Sequence, residues 1–230
     1  LPLASRMFLV DRETKKVREI AVSPGTFDPH LSPSGEHVGY VRNNNVYVAN
    51  IGEGKNPDER AITKGGTADV TMGLAEFVAQ EELDRTRGYW FSPDGSEVLY
   101  EEADLRAVEK LSIPDLARPE RPADEPRYPR AGHANAKVRF WIAPMSGASA
   151  PRAVPLPERY EYVAQVSWQK GHPPMFTLLE REQKKLAIWT DGAAKALATR
   201  DDPAFIDVDA KTPTWLSEGT LAWNSDHEQL

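Results

Sequence analysis

Short apolar or alternating runs recur along the chain between turn-forming residues: Met7-Phe8-Leu9-Val10, Val38 to Val41, Val46-Tyr47-Val48, Val98-Leu99-Tyr100, Val138 to Ile142 and Leu186-Ala187-Ile188-Trp189. Each is strand-sized, and many are rich in β-branched and aromatic side chains, which pack well on a pleated surface. The pattern predicts an all-β architecture of many short strands. Two runs also share their order of residue types: Leu31-Ser32-Pro33-Ser34-Gly35-Glu36-His37-Val38-Gly39-Tyr40 and Phe91-Ser92-Pro93-Asp94-Gly95-Ser96-Glu97-Val98-Leu99-Tyr100. In both, Pro fixes φ and Gly takes a conformation that a β-carbon opposes, so that one strand reverses tightly into the next. Degenerate copies fall at Val166 to Gly171 and Thr214 to Gly219. A hairpin repeated in this way favours a β-propeller of four-stranded blades over a sandwich. At roughly 40 to 45 residues per blade, the chain holds about five blades less its insertions. It reads as an incomplete propeller, cut within a hairpin after Leu221-Ala222-Trp223.

Two segments break the strand rhythm. Residues 73–85 consist mostly of good helix formers, with Leu74, Phe77 and Val78 at helical spacing, and predict a short inserted helix. Residues 101–133 are charged and carry Pro114, Pro119, Pro122, Pro126 and Pro129. That stretch is too long for a simple hairpin loop and predicts an arm or flexible excursion outside the core.

Composition narrows the function classes. The 230 residues carry a formal net charge of −7, which argues against a phosphate-binding surface and suits a cationic or zwitterionic ligand. With no cysteine there is neither a disulfide framework nor a thiolate zinc site. No apolar run is long enough to predict a membrane span, and the first residues show no targeting signal. His30, His37, His133, His172 and His227 show no i, i+4 pairing and no acidic partner at metal-ligand spacing, so surface or turn roles are expected and neither metal nor cofactor is predicted. The six tryptophans lie in strand-like segments and are expected in blade cores.

On the predicted helix, Glu81 falls four residues after Phe77 and Glu82 four after Val78, so both carboxylates continue the apolar stripe. Two readings stay open: the helix ends there with its glutamates facing water, or the pair clamps a cationic ligand. Asp84 and Arg85 follow, as an exposed ion pair of little energetic weight or as residues that orient the glutamates.

The segment Glu76-Phe77-Val78-Ala79-Gln80-Glu81-Glu82, followed by Gly88-Tyr89-Trp90-Phe91-Ser92-Pro93-Asp94-Gly95, resembles the double-glutamate segment of the dipeptidyl peptidase IV family. Tyr128-Pro129-Arg130-Ala131-Gly132, continuing through Asn135 and Val138, resembles a second motif of that family, in the same order and behind a proline-bearing insertion. The resemblance extends over roughly residues 5 to 145; the remainder matches only as loosely as any blade would. It implies part of an N-terminal eight-bladed propeller, of bacterial type, in a serine exopeptidase that releases X-Pro or X-Ala dipeptides. Glu81 and Glu82 match the acidic pair that binds a peptide's free α-ammonium. That group carries one charge and three N–H donors at neutral pH, so two carboxylates satisfy it better than one. A helix so placed leaves room for only two residues before the nucleophile.

The resemblance also implies an α/β-hydrolase domain downstream of Leu230, since the chain has no Gly-x-Ser-x-Gly elbow followed by an ordered Asp and His. The segment alone is then inactive. The family's carbonyl-holding arginine falls at or before residue 1; Arg6 is out of register and is not assigned. By position, the 101–133 arm resembles the blade insertion through which the family forms homodimers, with a disordered charge-rich loop as the competing reading. Tyr128 is read either as part of the second motif or as a packing tyrosine. Export to the periplasm, or secretion, is the family expectation. The competing function is a non-catalytic propeller that binds a protein partner, since the fold by itself does not decide; the paired-glutamate helix and the Tyr-Pro-Arg-Ala-Gly segment are what separate the two.

Overall fold

The computed structural model describes residues 2–3, 6–52, 58–209, 212–217 and 219–224, and in them the predicted all-β architecture is present as five consecutive antiparallel sheets. The first contains β1 (Pro2–Leu3), β2 (Arg6–Val10) and β3 (Val17–Ile20). The second is a meander of β4 (Phe27–Leu31), β5 (His37–Arg42), β6 (Asn45–Asn50) and β7 (Glu59–Ala61). The third begins with β8 (Val70–Met72), leaves the sheet for α1 (Phe77–Glu82), returns as β9 (Tyr89–Phe91) and continues through β10 (Glu97–Asp104), β11 (Lys137–Pro144) and β12 (Arg152–Val154). The fourth is the meander β13 (Tyr162–Ser167), β14 (Met175–Leu179), β15 (Lys185–Thr190) and β16 (Ala198–Asp201); β17 (Thr214–Ser217) and β18 (Thr220–Ala222) form the fifth. Successive four-stranded meanders of this kind are the blades of a propeller.

The blades stack face to face, and each interface is a hydrophobic cluster. Met7 and Ile20 of the first meet Val38, Tyr40 and Ala49 of the second. Val41, Val46 and Val48 meet Tyr89, Phe91, Val98 and Tyr100 of the third. Trp90, Leu99, Phe140 and Ile142, on the opposite face of that third sheet, meet Val163, Phe176 and Leu178 of the fourth. A strand covered on both faces needs apolar residues at successive positions rather than alternate ones. That is why β14 is buried throughout and why the central runs read as continuous hydrophobic stretches. The tryptophans do belong to these interfaces: Trp90 is buried, and Trp141, Trp168, Trp189, Trp215 and Trp223 pack against the clusters half-buried.

The two full copies of the predicted turn join β4 to β5 and β9 to β10, and the degenerate copies join β13 to β14 and β17 to β18. In the two full copies the Ser32 and Ser92 amides donate to the carbonyls of His37 and Glu97, each at 2.9 Å. The serine hydroxyls accept from the amides of the same two residues. Gly35 and Gly95 sit at φ of 72° and 74°, the left-handed region that favours glycine.

The limits of the arm differ from those predicted. Glu101 to Asp104 are the end of β10, so the excursion runs between Asp104 and Lys137. It is a narrow two-stranded ladder: Leu111 donates to Pro126, Ile113 and Asp124 exchange both backbone bonds, and Tyr128 donates to Glu109. No helix among the described residues is long and apolar enough to cross a membrane.

Candidate functional site

The first strand of the third sheet is split. β8 pairs with β10 at Glu102 to Asp104 and β9 pairs with it at Val98 to Tyr100, so the two lie end to end on one edge. Between them, at Glu101, the chain leaves and returns. The Glu101 carbonyl accepts from Gly73 at 2.7 Å and its amide donates to Gly88 at 2.8 Å. The leaving and returning segments touch backbone to backbone, because a β-carbon on Gly88 would lie 2.4 Å from the Leu74 carbonyl carbon and 2.5 Å from the Ala75 nitrogen. Glycine is the residue that allows this crossing.

The excursion carries α1, which occupies Phe77–Glu82 rather than the whole 73–85 segment. At its start, Gly73 still bonds to β10 and Leu74 bridges to Arg87, so helical dihedrals begin only after Glu76. At its end, Asp84 takes φ of 53°, a conformation aspartate tolerates, and the Arg85 amide returns to the Ala79 carbonyl at 2.9 Å. A helix of six residues has no stability of its own in water, so its shape is imposed by what surrounds it.

What surrounds it is a buried charge cluster. Glu76 caps the helix, one carboxylate oxygen accepting from the Val78 amide and the other from the Ala79 amide, both at 2.7 Å. The Glu76 amide donates to Glu101 Oε1 at 2.8 Å. Arg85 Nη1 lies 2.7 Å from Glu101 Oε2, an ion pair between side chains 3% and 0% exposed. Arg85 also donates from Nε to the Val163 carbonyl in β13 at 3.0 Å and from Nη1 to the Arg87 carbonyl at 2.9 Å. Burial pushes the carboxyls of both Glu76 and Glu101 above the ordinary range; the two helix amides partly counter this at Glu76, and Arg85 partly counters it at Glu101.

Glu81 and Glu82 stand in the last turn of α1, both exposed, and neither side chain makes a hydrogen bond or salt bridge to any described residue. Phe77 and Val78, which precede them on the predicted stripe, are half-buried; the fully buried position of the helix is Ala79. Phe77 packs edge-on against the Tyr128 ring, with centroids 4.9 Å apart, so the second motif lies directly on the first. Tyr128 remains 40% exposed and is not a core tyrosine. Further along that motif, Asn135 donates to Glu161 at 2.9 Å and to the Tyr162 hydroxyl at 3.0 Å, joining it to the fourth sheet.

The full length of the chain can be set beside known proteins. Residues 2–229 match the family described as the dipeptidyl peptidase IV (DPP IV) N-terminal region. The chain belongs to this family. Human dipeptidyl peptidase 8 is 30% identical over 191 residues, covering 70% of this chain and 21% of that protein. Dipeptidyl peptidase 4 of Trichophyton rubrum is 27% identical over 186 residues, covering 74% of this chain and 23% of its own length. The crystal structure of Porphyromonas gingivalis dipeptidyl peptidase 4 superposes with a TM-score of 0.76 at 20% identity, over 87% of this chain and 29% of that one, and so shares the propeller fold. The chain spans about a fifth of the length of the curated relatives it matches.

Within this dipeptidyl peptidase IV-type region, two expectations about charged residues need correcting. Arg85 does not form an exposed pair with Asp84: it is buried on Glu101, while Asp84 is exposed at the helix stop. Glu101 does not belong to the arm; it is fully buried in β10. Burial of both is possible because each neutralises the other, which a charge read in isolation does not show. A signal did exist in the period-two pattern, since Leu99, Glu101 and Ala103 share one face of β10 and all three are fully buried. Two histidines also have acidic partners the spacing did not indicate: His30 lies 2.8 Å from Asp28 and His133 3.4 Å from Glu109.

Proposed function

We propose that this region anchors the free amino terminus of a peptide on Glu81 and Glu82 and gates access to a downstream serine hydrolase that releases X-Pro or X-Ala dipeptides. The observation that carries the reading is a pair of adjacent, exposed carboxylates without partners among the described residues, on a short helix whose two ends are tied into buried structure. By contrast, Glu19 in β3, Glu59 in β7 and Glu109 at the base of the arm are each matched with an arginine. An α-ammonium supplies the missing charge and donors, and charge-assisted hydrogen bonds to two carboxylates fix its orientation. The role is positioning: it fixes which peptide bond reaches the nucleophile and breaks none itself. Membership of the dipeptidyl peptidase IV family supports this reading. The 1–230 segment acts here as the propeller portion, with the hydrolase as its partner.

A homodimer through the arm is part of the same proposal. The ladder leaves Ile113 and Leu116 exposed at 49% and 89%, apolar surface of the kind a partner covers.

The test compares cleavage of Gly-Pro-nitroanilide with that of its N-acetylated form by the full-length protein, before and after Glu81→Gln and Glu82→Gln. The expected result is selective cleavage of the free-amine substrate, with kcat/KM falling about a hundredfold or more in either variant, while reaction with a small phosphonylating probe is retained. No cleavage of either substrate by well-folded parent protein would favour a protein-binding propeller instead.

A further inference from the structure

We infer that Arg85 and Glu101, with Gln165, are positioning residues: a buried brace that holds the Glu81–Glu82 pair in the one orientation that reads an amino terminus. The inference rests on the anchoring reading above and adds the residues that make it selective.

The geometry is that of a clamp closed on one carboxylate. Glu101 Oε1 takes the Glu76 amide at the entry to α1, and Glu101 Oε2 pairs with Arg85 three residues after Glu82, so both ends of the six-residue helix are referred to the same buried group. The exit end is then tied to the neighbouring blade twice, by Arg85 Nε to the Val163 carbonyl and by Gln165 Nε2 to the Leu83 carbonyl at 3.2 Å. The glutamates lie between these fixed points. Their own side chains have no described hydrogen bond or ion pair to hold them, so their placement comes from the backbone beneath.

A cluster serving stability alone needs none of this. Two carboxylates and one guanidinium are buried together, an arrangement that is commonly no more stable than an apolar core of similar volume. Arg85 makes its contacts by the fork geometry of a guanidinium: Nε faces one blade while Nη1 faces Glu101 and Arg87. Lysine, a point charge on a flexible stem, cannot reach those acceptors together. The brace thus converts the meeting of two blades into the position of two carboxylates.

The experiment uses the full-length protein and measures, per site labelled by a phosphonylating probe, the ratio of kcat/KM for Gly-Pro-nitroanilide to that for its N-acetylated form. Arg85→Lys and Glu101→Gln are expected to lower that ratio about tenfold or more, chiefly through the free-amine substrate, while the labelling rate stays near that of the parent. Counting labelled sites removes the contribution of unfolded molecules. If neither variant is labelled, Gln165→Leu, which removes only the tie to Leu83, is expected to lower the ratio in the same direction. Parent-like selectivity in folded Arg85→Lys and Glu101→Gln, or in Gln165→Leu where it replaces them, overturns the inference. If Glu81→Gln and Glu82→Gln themselves leave the ratio unchanged, the anchoring reading has failed; if they abolish it while the brace variants do not, only the brace has.

Discussion

The second and third sheets begin with the same turn and then diverge at one residue. Aligning Ser32 to Gly35 on Ser92 to Gly95 brings Tyr40 opposite Tyr100 and Val41 opposite Glu101. Val41 pairs across to Phe27 on the edge strand β4, which bulges between Phe27 and His30 but never leaves the sheet, and it lies in the apolar cluster between the two sheets. Glu101 faces the gap where the edge strand departs to form α1. Both positions are buried, at 2% and 0% exposure, yet one is apolar and the other ionisable. An edge strand that stays in the sheet brings no outside group to the position opposite it, whereas an excursion brings a stray amide, that of Glu76, and a buried guanidinium that must find acceptors. The carboxylate is what an interrupted blade requires at the place where an uninterrupted one needs only packing.

The largest expected effect comes from removing that difference. Glu101→Val makes the third sheet resemble the second but leaves Arg85 buried without its counter-charge, and should cost about 3–5 kcal/mol. Adding Arg85→Leu should recover more than half of the loss, since the guanidinium is then absent as well. Denaturation midpoints of the full-length protein and its two variants check this, and a double variant no more stable than the single one would break the comparison.

An intermediate effect tests what the two sheets share. Gly35→Ala and Gly95→Ala each place a β-carbon where no atom lies within 4 Å, so the only penalty is the left-handed backbone. Each should lose about 1–2 kcal/mol, and the two losses should agree. A much larger loss at Gly95 would show that its turn is coupled to the excursion beyond it.

The smallest effect is in the acid limb of stability and has opposite signs in the two sheets. Glu59, on β7 of the second sheet, is pushed up by burial but held down to about 2 by hydrogen bonds from Arg42 and Ser23. Its folded value lies below its unfolded one, so its contribution is present above about pH 4.5 and is lost as pH falls towards 2. Glu76 and Glu101 are displaced upward, so their ionised forms cost stability, and protonation on acidification returns it. Glu59→Gln should therefore flatten the acid limb between pH 4.5 and 2, whereas Glu101→Gln should remove a gain that comes in as pH falls from neutral towards 4.5; melting temperatures from neutral pH down to pH 2 measure both.

Much of the architecture was legible because its signals are local. Pro and Gly at fixed offsets dictate a turn whatever lies beyond it, and strand-length apolar runs declare strands wherever both faces are covered. The pairing of Glu81 with Glu82 and the helical character around them were likewise readable from adjacent residues, and the resemblance to the dipeptidyl peptidase IV family rested on those same segments. Tertiary structure decided the helix limits, because Gly73 and Leu74 bond elsewhere before helical dihedrals can begin. It decided that the proline-rich stretch is a hydrogen-bonded ladder. Above all it decided that Glu101 and Arg85 are buried together. A charge is excluded from the interior unless a partner arrives with it, and here the partners come from β10, from the turn after α1 and from a carbonyl of the next blade. No local pattern specifies that meeting; only the stacking of the blades brings it about.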